Sequence, residues 1–156
     1  PDSRATEIKR LIGRALRAAV DLERMPGLVV TCDCDVMKAD GGTRTASITG
    51  AWVALVDALT AARADGLIDP DPITSPVAAV SVGIVDGRPV LDLDYALDSR
   101  AEVDMNVVKN ADGQFIEVQG TGEGDTFDRG QLGTMLDLAD KGIDTLLAAQ
   151  RAALKG

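Results

Sequence analysis

No histidine occurs among the 156 residues, which excludes Ser-His-Asp and Cys-His catalysis, histidine metal sites and imidazole pH switching together. Proton transfer and charge stabilisation fall to carboxylates, lysine, tyrosine or a metal. Aromatic side chains are nearly as scarce: Trp52, Tyr95, Phe115 and Phe127 are the whole set, too few for a platform on which single-stranded bases stack. Any contact with RNA or DNA would be mainly phosphate-directed. There are two cysteines, Cys32 and Cys34. Alternating in an apolar stretch, they would share one face of a strand, where a bond between them is sterically disfavoured, and they lack the C-x-x-C spacing of a metal pair. They are expected to be buried packing thiols in a reducing, cytoplasmic compartment. Apolar runs are too short and interrupted to predict a secretion signal or a membrane span.

Positive charge is also in deficit, with 16 basic against 25 acidic residues and a net charge of −9. On that balance alone nucleic acid and anionic membrane are poor partners. The deficit is uneven: residues 1–24 hold six basic and four acidic side chains, and the rest of the chain ten against twenty-one. The length suits one domain that buries roughly 70% of its unfolded surface, and 46% hydrophobic residues suffice for its core.

Ile8, Leu11, Ile12, Ala15, Leu16 and Ala19 recur at helical spacing, with Arg10, Arg14 and Arg17 on another face. This pattern predicts an amphipathic helix over 7–22, its arginines solvated or ion-paired at a subunit contact. Residues 28–37 alternate with period two and predict a strand. Asp40-Gly41-Gly42 breaks it. From Thr43 to about Arg63 the pattern is helical and apolar nearly all round, which predicts a buried helix. Asp86-Gly87 and Asp112-Gly113 each sit between apolar runs, the signal of a hairpin; the four strands fall at 77–85, 90–93, 105–108 and 115–118. A last helix spans about 129–154, with Gly142 a place for a bend. The order helix, strand, helix, four strands, helix predicts an α+β domain with an antiparallel sheet and packed helices.

Two constellations carry chemistry. Asp40-Gly41-Gly42-Thr43-Arg44-Thr45 lies where a strand gives way to a helix, whose unpaired N–H groups and dipole favour an anion. Arg44 offers a forked cation and Thr43 a hydroxyl, so the segment suits phosphate. An ordinary glycine turn with an Asp or Thr cap and a surface arginine fits the same residues. Asp98, Asp104 and Asn106 form the second. Asp104 and Asn106 fall on one face of a strand, and Asp98 can fold back from the preceding turn, giving an all-oxygen set suited to Mg²⁺ or Mn²⁺. In so acidic a chain, two solvated aspartates fit as well. The glycine-rich 120–124 segment lacks the context of a dinucleotide site and is expected to be structural.

Five segments together resemble the ribonuclease PH family: Glu7-Ile-Lys-Arg-Leu-Ile-Gly-Arg14, Cys34-Asp-Val-Met-Lys-Ala-Asp-Gly-Gly-Thr-Arg-Thr-Ala-Ser-Ile-Thr-Gly50, Ala79-Val-Ser-Val-Gly83, Asp104-Met-Asn-Val-Val108 and Glu117-Val-Gln-Gly-Thr-Gly-Glu-Gly124. The resemblance spans nearly all of 1–156 as one domain and leaves out the family's N-terminal strands and RNA-guiding basic residues. It implies a fold like ribosomal protein S5 domain 2, with a mixed or antiparallel sheet, and a homo-oligomeric ring, a hexamer built as a trimer of dimers. It also implies phosphorolytic trimming of tRNA 3′ ends and other structured RNA, with inorganic phosphate as co-substrate and nucleoside diphosphates released. Residue by residue, it places Thr43, Arg44 and Arg4 at the phosphate, Asp98 and Asp104 as the catalytic and metal-binding pair, and Asn106 as a third metal-side residue. Around Arg4 the pattern departs, with Ser3 and Ala5 where the family has glycine and threonine, and Leu97 stands where an acid commonly precedes Asp98. A silent RNA-binding subunit of an exosome-like ring is the alternative; such subunits typically lose an acid or the phosphate arginine, and this chain keeps both. S5-like metabolic kinases carry an ATP-binding glycine-serine motif that is absent here.

Overall fold

A computed structural model of the chain describes residues 2–156. Helix α1 (Ser3–Arg17) is capped by Asp2, whose carboxylate accepts the Arg4 N–H. A 3₁₀ turn (Leu22–Arg24) and an extended segment lead to α2 (Thr43–Ala64). Strands β1 (Val77–Val85) and β2 (Arg88–Leu91) form a hairpin. One helical turn, α3 (Tyr95–Asp98), precedes the hairpin of β3 (Val103–Asn110) and β4 (Phe115–Gly122), and α4 (Arg129–Lys155) closes the chain. The sheet is wholly antiparallel, in the order β2-β1-β3-β4.

Both hairpins form where the Asp-Gly pairs predict them. Asp86 and Gly87 have φ of 51° and 71°, the sign that a two-residue turn between twisted strands requires. The second hairpin runs longer than its apolar core, because Asn110 Oδ1 accepts the Asp112 and Gln114 N–H groups and squares off the turn.

Every residue of β1 is buried, since each face of the sheet is covered. On one face Ala78, Val80, Val82 and Ile84 join Val103, Met105 and Val107 against Met135, Ala139, Ile143 and Leu147 of α4. On the other, Val77, Ala79 and Val108 meet α1 and α2. Gln150 ties these layers together: its amide donates to the carbonyls of Thr49 (3.0 Å) and Val77 (2.8 Å).

Several expectations change. Residues 28–37 form no strand, because no other strand lies beside them among the described residues and alternation needs a partner ladder to become a strand. Val29 (91% exposed) and Met37 (95%) therefore face solvent. For the same reason Cys32 is exposed, while Cys34 is half-buried and packs against the edge of the core; both are free thiols. Helix α2 buries one face, through Ile48, Ala51, Trp52, Leu55 and Leu59; Ala46, Gly50, Ala54 and Ala58 on the other are exposed. The helix is 22 residues long and an 18-residue stretch of it has a mean hydropathy of 1.3, which satisfies the length and composition of a membrane span, contrary to the sequence expectation; its buried face packs against α1 and the sheet. Helix α4 runs unbroken through Gly142, whose missing side chain makes room for Leu91 and Val80.

Replacing Gln150 (2% exposed) by Met removes the amide that bridges α2 and β1 and takes from the buried Val77 carbonyl its bond to Gln150, while the Thr49 carbonyl keeps its place in the helix. Denaturant unfolding should show a loss of about 1–3 kcal/mol; no loss would mean that these bonds do not hold the layers.

Candidate active site

The sheet face toward α2 changes character along its length. At one end it presents Val77, Ala79 and Val108 to the core; further along, the same face of β1 carries Ser81 and Gly83, and that of β3 carries Asn106 and Asp104. The register pairs Ser81 with Asn106 and Gly83 with Asp104, and across β4 sets Gln119 opposite Asn106 and Thr121 opposite Asp104. A polar surface thus begins where the apolar layer stops.

The start of α2 stands beside it. Gly42 is the residue before the helix, in the left-handed region at φ 73°, and no side chain caps the helix. The Asp or Thr cap considered from the sequence does not form. Asp40 is occupied elsewhere, and Thr45 Oγ1 donates to the Gly42 carbonyl. First-turn N–H groups without a capping side chain, with the helix dipole behind them, attract an anion. Arg44 adds its guanidinium, which pairs with Glu7 of α1 at 2.8 Å. Gly41 allows the approach of this turn to the next segment: a side chain there would collide with the Leu93 carbonyl and Asp94 Cα.

The carboxylates come from the other side. Asp94 caps α3 by accepting the Leu97 N–H at 2.8 Å, and Asp98 is the last residue of that turn. Asp104 follows on β3, half-buried, with Oδ1 buried and without a hydrogen-bond partner. Burial and then the Asp98 charge push the Asp104 carboxyl above the usual range, Arg44 pulls it down, and Glu123 adds to the rise. Those couplings bring Asp98, Asp104 and Arg44 into one electrostatic neighbourhood. Asn106 lies on the same strand face as Asp104. Arg4 is exposed in the first turn of α1, one turn before Glu7, and makes no ion pair among the described residues. The roles of Glu7 and Glu123 escape sequence reading, since neither stands near its partner in the chain, and Asp40, read from the sequence as part of the turn or its cap, also reaches Tyr95.

An open groove of about 880 Å³ runs between α1 and residues 28–36 and reaches Thr43 and Arg44 at one end. Its walls are mainly apolar, and neither Asp98 nor Asp104 lines it. The charged residues, rather than this groove, mark the chemistry.

Folded Asp104 holds its proton more tightly than the unfolded chain does. Stability is therefore lost as pH rises from the ordinary 3.8 through the raised value. In the ligand-free protein Asp104→Asn should raise the melting temperature at pH 7, with the gain shrinking as pH falls toward 3.8; a gain independent of pH would contradict the assignment.

Comparisons with known proteins bear on the family and the fold. The models of the 3′ exoribonuclease family match in two parts, domain 1 over residues 1–60 and domain 2 over residues 75–142. Proteins named Ribonuclease PH from Corynebacterium efficiens and Corynebacterium glutamicum are 58% and 59% identical over 151 residues, 97% of this chain. The chain spans 62% of the length of each. Among solved structures, rice (Oryza sativa) Rrp46 matches with a TM-score of 0.74 at 16% identity, over all of this chain and 68% of its own. An archaeal exosome core subunit matches with a TM-score of 0.70 at 19% identity, over 97% and 65%. At those identities the structural likeness speaks for the fold, an α+β sheet with packed helices. With both domain models matched in chain order and more than half of its residues identical to curated members, the chain belongs to the 3′ exoribonuclease family.

Proposed function

We propose that this chain carries the catalytic centre of a phosphate-dependent 3′-to-5′ exoribonuclease that trims tRNA 3′ ends and other structured RNA. The observation that carries the reading is the uncapped start of α2, with Arg44 attached, set beside the Asp98 and Asp104 pair. Hydrolysis needs no second anion site; phosphorolysis does. An oxygen of inorganic phosphate attacks the phosphorus of the last phosphodiester, the bond to the 3′-oxygen breaks, and that oxygen takes up a proton. The products are a nucleoside diphosphate and an RNA shorter by one nucleotide.

Two anions must meet, so the barrier is largely electrostatic. Thr43, Arg44 and the first-turn N–H groups of α2 hold the attacking phosphate and spread its charge. Glu7, paired with Arg44, fixes the guanidinium and gives way in part to the incoming anion. Arg4, one turn before Glu7, serves as the second phosphate cation. Asp98 and Asp104 fit a divalent ion, Mg²⁺ or Mn²⁺: the unpartnered Asp104 oxygen beside a second carboxylate favours a cation between them. Among the described residues no three acidic or thiol side chains gather, so Asn106, water and the RNA phosphate would complete the shell. When bound, such an ion supplies positive charge to the scissile phosphate and the leaving oxygen.

The likeness to exosome core structures supports assembly into a ring, and the family resemblance supports a hexamer. Retention of both carboxylates and of Arg44 favours a catalytic member over a silent, RNA-binding one.

Incubation with tRNA bearing extra 3′ nucleotides tests the reading. Nucleoside diphosphates should appear with phosphate present and not without it; monophosphates formed without phosphate would overturn it. Arg44→Ala should raise the phosphate KM and lower kcat/KM by about 10²–10³-fold. Asp104→Asn should lower kcat by about 10²-fold or more, with RNA binding retained in a filter or anisotropy assay. Full activity of either variant would remove that residue from its role.

A further inference from the structure

The phosphate cradle and the carboxylate pair lie on separate chain segments, and the reaction requires a fixed distance between them. One side chain reaches both. Asp40 Oδ1 accepts the Gly41 N–H at 2.9 Å and the Tyr95 N–H at 2.7 Å. The first bond shapes the turn that enters α2. The second holds the first residue of α3, whose last residue is Asp98. We infer that Asp40 is a positioning residue that sets the separation between the Thr43–Arg44 cradle and Asp98; its kinetic consequence rests on the phosphorolytic reading.

Four residues of helix cannot hold their own place, because so short a helix gains too few internal bonds to offset its ordering. Its other side-chain hydrogen bonds, from the Leu97 N–H to Asp94 and from Ser99 and Arg100 to the Ala96 carbonyl, are local and fix shape but not position. Leu97 packs on Val85, Leu93 and Ala101, and three further contacts fix where the turn sits. Ser81 Oγ on β1 accepts the Leu93 N–H at 3.1 Å. The Gly41 backbone packs against the Leu93 carbonyl and Asp94. The Asp40 carboxylate closes the remaining gap, and among the described residues its bond to Tyr95 is the hydrogen bond joining segments 38–45 and 92–98. The Tyr95 and Gly41 N–H groups, with the Lys38 charge, hold the Asp40 carboxyl below the usual carboxylate range, as expected for an acceptor engaged by two donors.

The geometry needs an acceptor oxygen, not a charge, and this separates the proposal from a general electrostatic effect. Asparagine offers the same Oδ1 acceptor and alanine offers none.

Asp40→Ala and Asp40→Asn should be compared in two readouts. In amide hydrogen exchange, Asp40→Ala should exchange faster at Tyr95, while Asp40→Asn should keep the native rate. In phosphate-dependent shortening of tRNA with extra 3′ nucleotides, Asp40→Ala should lose at least tenfold in kcat/KM, since a displacement near 1 Å costs about 10²-fold. Asp40→Asn should stay within threefold of the unaltered protein. Unchanged exchange and activity in the alanine variant would overturn the inference, and so would an asparagine variant as impaired as alanine. If the unaltered protein releases no nucleoside diphosphate with phosphate, the phosphorolytic reading fails, and exchange at Tyr95 still decides whether Asp40 holds α3.

Discussion

Burial of β1 on both faces is the constraint from which the other parts take their places. Nine consecutive buried residues require a layer on each side of the sheet, and the chain supplies α4 on one and the α1–α2 pair on the other. Within that strand, two positions on the α2 side break the apolar pattern. Ser81 holds the Leu93 N–H, and Gly83 leaves room where a side chain would meet the Val103 carbonyl and Leu93. The segment leaving β2 is thereby drawn over the sheet, carrying α3 and Asp98 toward Asp104 on the neighbouring strand. The site exists because the core ends there.

Charge distribution gives the site its chemistry. Burial and the neighbouring Asp98 make an ionised Asp104 costly, a cost that a cation in that place would reverse. Acting on Asp104 from a distant part of the chain, Arg44 and the uncapped start of α2 form a region of opposite sign. Such adjacent, oppositely biased subsites suit a reaction between two anions. They also reconcile the chain's net acidity with the proposed RNA substrate: the acidic surplus lies beyond the first helix and in part within the site, which suits a grip on the RNA end over a broad basic surface.

Much of this was legible in the sequence because it is local. Asp-Gly turns mark the hairpins, helical periodicity marks the helices, and Thr43 and Arg44 directly follow the glycine turn. Asp104 and Asn106 follow from strand alternation. What escaped reading depends on partners far away in the chain. Residues 28–37 have the pattern of a strand and no ladder to join, which also exposes Cys32 and the apolar Val29 and Met37. The outer face of α2 is made of small apolar residues, which hydropathy alone reads as interior. Arg14 of the basic helix face pairs with Glu117 of β4, and Glu7 with Arg44. Asp40 looks like turn chemistry until Tyr95 is seen beside it.

The central claim is that the start of α2 and the carboxylate pair form one phosphate-handling site. Titration of inorganic phosphate into the isotopically labelled protein, followed by amide chemical shifts, tests it most directly. The Thr43, Arg44 and Thr45 amides should move together along one saturable curve and lose that response in Arg44→Ala. Shifts scattered over surface lysines and arginines, with these three amides still, would contradict it.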